Sequence, residues 1–234
     1  MNKKFIVGNC FTRFAQGANI VLLDQFKLLL QSGDIDPSVN YWVGQGITAS
    51  DIHDLNALHI NLKSVLSGTD FVLKDHHIAH KRRPENCHIS VPVKLSEGKY
   101  QMNVVIDPNC AELNDHITGE HINGTILMEA VRQSCIGVTE RFFITGNKSP
   151  YFILKEMNSV YSSFLFPLPI TMDYTIISHE IKGNYQTEFE IEATMYHVVS
   201  EPACKIKAVF STYEKAPMEE FEQVMAADSP ALFK

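Results

Sequence analysis

Residues 114–134, NDHITGEHINGTILMEAVRQS, bring together two histidines, a glycine and an apolar run carrying Glu129, Arg132 and Gln133. An imidazole titrates near neutral pH, so His116 and His121 are candidate proton donors and acceptors. Gly124 permits a tight entry into a helix, which lets the preceding loop fold back over the helix start. There the N–H groups of Gly124 and Thr125 have no partner within the helix, and the dipole presents its positive end. Both features suit polarising a carbonyl oxygen or holding an oxyanion.

The spacing after Gly124 predicts a helix over about Thr125 to Phe143. At 100° per residue, Leu127, Val131, Ser134, Cys135, Val138 and Phe142 form one stripe, the expected core face. Glu129, Arg132, Gln133 and Ile136 fall opposite. Two readings of this second face stay open. It could be solvated, with Glu129 and Arg132 as an i,i+3 pair contributing about 0.2–0.5 kcal/mol. Ile136 within it and Met128 at its margin instead predict that the face is covered, and a covered carboxylate needs a partner or a chemical role.

The elements that must position this helix are read from alternation. Tyr100, Met102, Val104 and Ile106 alternate with polar neighbours, as do Ile170, Met172, Tyr174 and Ile176. Phe189, Ile191, Ala193 and Met195 repeat the pattern, and so do Cys204, Ile206, Ala208 and Phe210. Each run predicts a half-buried strand. Tyr151 to Phe166 reads as a longer apolar strand ended by Pro167 and Pro169. Two strands, one long helix and four strands fit an α+β layer in which an antiparallel sheet wraps a central helix, the hotdog arrangement. Residues 78–215 are assigned to that domain and 216–234 to a C-terminal tail. Residues 1–77 differ in texture. Strands at Lys4–Val7 and Val39–Val43 alternate with helices at Ala18–Gln31 and Asp51–Leu66, the second capped by Thr48 or Ser50. This α/β extension lacks the glycine fingerprint of a dinucleotide fold.

Composition removes several function classes. The 234 residues are 45% hydrophobic, enough for a proper core, and the formal charge of −7 argues against a general nucleic-acid binder. No apolar run approaches the roughly 20 residues of a membrane span, and the stretch after Lys4 is too short for a signal peptide. The five cysteines are scattered and never arranged as C-x-x-C, so they read as reduced thiols of a cytoplasmic protein, with no metal site assigned.

With these residues in place, the sequence resembles a known group. DHITGEHINGTILMEAVRQS is similar to the central-helix motif of hotdog acyl-thioester enzymes. The E-x-x-R-Q of Glu129, Arg132 and Gln133, preceded by His121, most resembles the AfsA-type (A-factor biosynthesis) hotdog family. HKRRPENCHISVPVKL, with His80 and Lys81, is similar to the opening of such a module. The resemblance implies an acyl-thioester enzyme of secondary-metabolite or signal biosynthesis with no bound cofactor of its own. Its substrate would be a β-ketoacyl chain on the phosphopantetheine of acyl carrier protein or coenzyme A, passed to a hydroxyl acceptor. It also implies that Glu129 and Arg132 are the functional pair, and that a homodimer supplies the second hotdog module the family carries. The same stretch is similar to 3-hydroxyacyl-ACP dehydratases, where His116 and Glu129 would share proton transfer. There the loop is one residue shorter than the dehydratase pattern, and Thr118 and Asn123 stand at its proline positions.

Three chemistries therefore remain. In acyl transfer, Glu129 is the base on the acceptor hydroxyl, Arg132 and Gln133 hold substrate, and Gly124 and Thr125 supply oxyanion N–H groups. In dehydration, His116 removes the α-proton and Glu129 protonates the departing hydroxyl. In hydrolysis, Glu129 activates water. A non-catalytic acyl-binding role in a biosynthetic complex is the alternative from another class. In DHHIAHKRRP, His76 and His80 could offer two metal ligands at i,i+4, but the stretch reads better as a basic connector. Its Lys81, Arg82 and Arg83 would receive a carrier protein or a phosphopantetheine phosphate. GQGITAS weakly suggests a phosphate loop but has no P-loop lysine.

Overall fold

Alternating burial builds the main sheet. The computed structural model of the chain describes residues 2–58, 62–72, 75–144, 150–183, 186–197 and 201–229. Strand β6 (Lys99–Val104) buries Tyr100, Met102 and Val104 and turns the residues between them outward. Strands β8 (Ile170–Ile181), β9 (Gln186–His197) and β10 (Cys204–Tyr213) repeat this period of two. With β5 (Val93–Ser96) and β7 (Tyr151–Tyr161) they form an antiparallel sheet of order β5-β6-β8-β9-β10-β7. β7 ends at Tyr161, earlier than the strand expected to reach Phe166. Past Tyr161, the Ser162 and Ser163 N–H groups both donate to Ala203 O, and the chain leaves the ladder.

Helix α4 (Gly124–Phe142) lies on this sheet. Leu127, Val131, Cys135 and Val138 are buried in the common core, as their spacing predicts. The second face is covered as well: Gln133 is 0% and Ile136 4% exposed. A Cβ at Gly137 would touch Ile78 O, Ile89 and Pro92, so the 78–92 segment straps the flank of the helix, its residues 88–90 pairing with 103–105 at the edge of the sheet. A helix held between a sheet and a strap buries apolar residues all round, which explains the interrupted polar stripe. The hotdog architecture expected from the element order is the one formed.

The N-terminal region makes a second, parallel sheet of order β2-β1-β3-β4, from β1 (Asn2–Val7), β2 (Ile20–Leu22), β3 (Val39–Val43) and β4 (Leu66–Ser67). Two helix expectations are shortened here. Ile20–Leu22 pairs in register with Phe5–Val7, so α1 begins only at Leu23 (Leu23–Ser32). Helix α2 covers Ala49–Leu58, residues 59–61 of the expected Asp51–Leu66 helix lie outside the described residues, and Leu66 pairs with Tyr41 in a strand instead. Thr48 caps α2 reciprocally with Asp51.

The two sheets are stitched together at Gln45. Its amide donates to Val104 O (2.9 Å) and Leu168 O (3.2 Å), while its Oε1 accepts from Ile106 N (2.9 Å). Gly46 N donates to Ile106 O, and Gly8 packs so tightly that a Cβ would lie 2.1 Å from Gly46 O. The GQGITAS loop thus spends its backbone on holding the sheets together rather than on cradling phosphate. Between β6 and α4 lies the short α3 (Ala111–Asp115). The C-terminal stretch, read as a tail, forms helix α5 (Lys215–Asp228), linked to β7 where Tyr151 donates to Glu222 (2.7 Å). Among the described residues, no helix is long and apolar enough to cross a membrane.

Candidate active site

Glu129 lies on the strapped face of α4, one turn before Arg132 and Gln133. Arg132 grips it as a fork, Nε to Oε2 at 2.7 Å and Nη2 to Oε1 at 2.8 Å. Gln133 Nε2 adds a bond to Oε1 (3.0 Å), and Lys81 Nζ reaches the same oxygen from the strap (2.5 Å). Burial alone would push this carboxyl up. The bonds from Arg132, Lys81 and Gln133 outweigh it and hold the pKa down at about 2. Two cations around one carboxylate leave the cluster with one surplus positive charge.

Gln133 is spoken for at both ends. Its oxygen accepts from His88 N (2.8 Å), and its nitrogen also donates to Asn86 O (2.9 Å). It positions the strap and Glu129, so a direct hold on substrate, expected from the sequence, is not what its contacts offer. Lys81 likewise turns inward onto Glu129, whereas Arg82 and Arg83 stay exposed and available to a partner. One residue earlier, the His80 ring pairs with Glu140 at 2.8 Å, while His76 groups with Asp75 and His77. The His80–Lys81 motif and the helix motif are two halves of one clamp.

The other end of α4 is built differently. Asn123 occupies the N-cap position without a side-chain cap bond, and its amide nitrogen donates to His116 O. The first turn opens on a cavity of about 470 Å³ lined by His121, Ile122, Gly124, Leu127, Tyr161 and Phe164, among others. His121 rests against Phe164, ring centroids 4.6 Å apart, with Nδ1 3.4 Å from Thr118 Oγ1. Tyr161 donates to Gly124 O (3.0 Å), and a Cβ at Gly124 would meet the Tyr161 ring at 2.9 Å. A side chain at position 124 would therefore have to push aside the half-exposed Tyr161 ring.

The structure gathers the expected residues into two groups. Glu129, Arg132, Gln133 and Lys81 form the clamp; His121 and Gly124 line the cavity, and Thr125, next in the chain, is exposed and not among its lining residues. His116 joins neither. It is exposed at the end of α3, and among the described residues no hydrogen bond links His116 or His121 to Glu129. A carboxyl with a pKa of about 2 cannot donate a proton at neutral pH and is a weak base, which conflicts with the base and acid roles expected of Glu129. Sequence reasoning missed Tyr161 and Phe164. The Ser162-Ser163 pair that ends β7 was the available signal for a turn there.

A family model described as the A-factor biosynthesis hotdog domain matches residues 74–208. Among solved structures the chain is similar to a mutant thioesterase from Pseudomonas aeruginosa, at 12% identity over 54% of this chain and 82% of that one (TM-score 0.40). It is also similar to a Bacillus halodurans protein crystallised with CoA, at 14% identity over 53% and 74% (TM-score 0.38). A thioesterase mutant from Staphylococcus aureus shows 13% identity over 53% and 93% (TM-score 0.39). No curated protein sequence matches the chain.

Proposed function

The chain belongs to the A-factor biosynthesis hotdog family, and from that premise we propose that it transfers a β-ketoacyl group from an acyl carrier protein or coenzyme A thioester to a hydroxyl acceptor. At the coarser level it is an acyl-thioester-processing hotdog protein. One observation carries the finer reading: the N-terminus of α4, without a side-chain cap, opens into an apolar cavity that His121 also lines.

The acyl chain lies against Ile122, Leu127, Tyr161 and Phe164. The thioester oxygen faces the first N–H groups of α4, at Gly124 and Thr125, which stabilise the oxyanion as it forms. His121 takes the proton of the acceptor hydroxyl as its oxygen bonds to the carbonyl carbon. When the C–S bond breaks, the same proton goes to the leaving thiolate. Glu129 lies about 7.5 Å further along the helix axis. It holds Lys81 and Arg132 as a cationic pair that receives a phosphate of the pantetheine arm or of the acceptor, and Arg82 and Arg83 extend that charge toward the carrier. A second copy of the chain completes the module pair.

The test is to incubate the protein with 3-oxoacyl and 3-hydroxyacyl thioesters, each with a phosphorylated ketone or triol, and to weigh the products by mass spectrometry. Acyl ester on the acceptor is expected. Water loss from the hydroxyacyl substrate, free acid regardless of acceptor, or binding without turnover would each overturn the proposal.

A further inference from the structure

A second group of donors lies apart from the residues that line the cavity. His88, Cys110 and Glu112 place one ligand atom each within 4.8 Å of one another. His88 and Cys110 are 0% exposed, and His88 Nε2 lies 3.2 Å from Glu112 Oε2. Tetrahedral zinc, with N and O ligands at about 2.0–2.2 Å and sulfur at about 2.3 Å, holds its ligands about 3.3–3.6 Å apart. The three donors therefore need to draw in by only about 1 Å to take an ion. We propose that His88, Cys110 and Glu112 bind a zinc-class divalent transition metal through one imidazole nitrogen, one thiolate and one carboxylate oxygen.

The donor set selects the ion. Mixed nitrogen and sulfur ligation suits zinc and its spectroscopic substitute cobalt, and disfavours magnesium and calcium, which take oxygen. Glu112 keeps a quarter of its side chain exposed, so the ion reaches solvent on that side and a water completes the fourth position. Binding moves the Cys110 proton to solvent, so affinity rises with pH.

The backbone here is already organised. His88 N donates to Gln133 Oε1, Val105 N donates to His88 O, and Ala111 N donates to Asn86 Oδ1. An ion would tie the strap of α4 to α3, the element leading into the loop that carries His121. No local motif announces the site, because His88 and the Cys110–Glu112 pair come from separate segments.

The experiment titrates cobalt(II) into chelator-stripped protein and follows the near-ultraviolet thiolate-to-cobalt charge-transfer band, with circular dichroism as the check on folding. One equivalent per chain should bring up the band, and zinc should abolish it by displacement. Cys110→Ser should lose the band. Glu112→Gln, at a partly exposed position, should keep it with affinity weakened at least as much as the roughly 10–100-fold that loss of an outer-shell partner costs. His76→Ala with His77→Ala, at the exposed Asp75–His77 cluster, should leave titration unchanged. A folded wild type with no band would overturn the proposal. So would a band that survives in Cys110→Ser, an unchanged affinity in Glu112→Gln, or a band lost with His76 and His77.

Discussion

The two working ends of α4 differ in how fully their polar groups are used. At Glu129 every strong group is matched: one carboxylate receives Arg132 twice, Lys81 and Gln133. At the N-terminus a cavity opens, the cap position makes no side-chain bond, and the His121 ring meets Phe164 and makes a long approach to Thr118, whose hydroxyl also holds the His121 backbone. A saturated cluster holds geometry, whereas an open one can receive a reacting group. Glu129 and Arg132 stand out in the sequence, but the less conspicuous His121 and Gly124 line the cavity.

The largest effect should fall at the open end. His121→Ala is expected to lower kcat for acyl transfer by about 10²–10⁴-fold, the range for removing a general base, with an unchanged melting temperature. Gly124→Val should follow at about 10²–10³-fold, because the added side chain displaces Tyr161 and disturbs the oxyanion N–H groups. Substrate turnover and thermal melting, run side by side, check both. If either variant were as active as wild type, the contrast between the two ends would collapse.

The saturated end should register in stability. The folded carboxyl of Glu129 sits at about 2, below its ordinary value of 4.5. Between those values the unfolded chain binds the proton more readily, so the stabilisation is complete above about pH 4.5 and is lost as pH falls toward 2. By linkage it is on the order of 2–3 kcal/mol. Urea unfolding from pH 6 to pH 3 should show wild type losing about 2 kcal/mol of this increment and Glu129→Gln lacking that slope. The smallest effect is expected for Lys81→Met, which leaves the Arg132 fork intact. It should raise KM for a phosphate-bearing substrate about tenfold or less with little change in kcat, by steady-state kinetics. A kcat loss as large as that of His121→Ala would move Lys81 into the chemistry.

Some of this arrangement was legible in residue spacing and some was not. The first half of β8, most of β9 and the first half of β10 alternate because one face meets the core and the other turns outward, and α4 announces itself by its glycine entry and apolar stripe. Ile20–Leu22 looked helical because its apolar residues continue into α1, and only pairing with β1 makes it a strand. The i,i+3 relation of Glu129 and Arg132 could be read directly. The approach of Lys81 to the same carboxylate could not, since it depends on a strap folding over the helix from a distant segment. Tyr161 and Phe164 were hidden for a similar reason: their role follows from where β7 ends, which is decided by hydrogen bonds to Ala203.

The claim that Glu129 organises the site and His121 carries the proton meets its most direct test in single-turnover acyl transfer by Glu129→Gln at saturating thioester and acceptor. The amide is nearly the same size and can still accept from Arg132, so the rate of the chemical step should stay within about tenfold of wild type. A loss of 10³-fold or more, in a variant that remains folded, would make Glu129 the base and contradict the account.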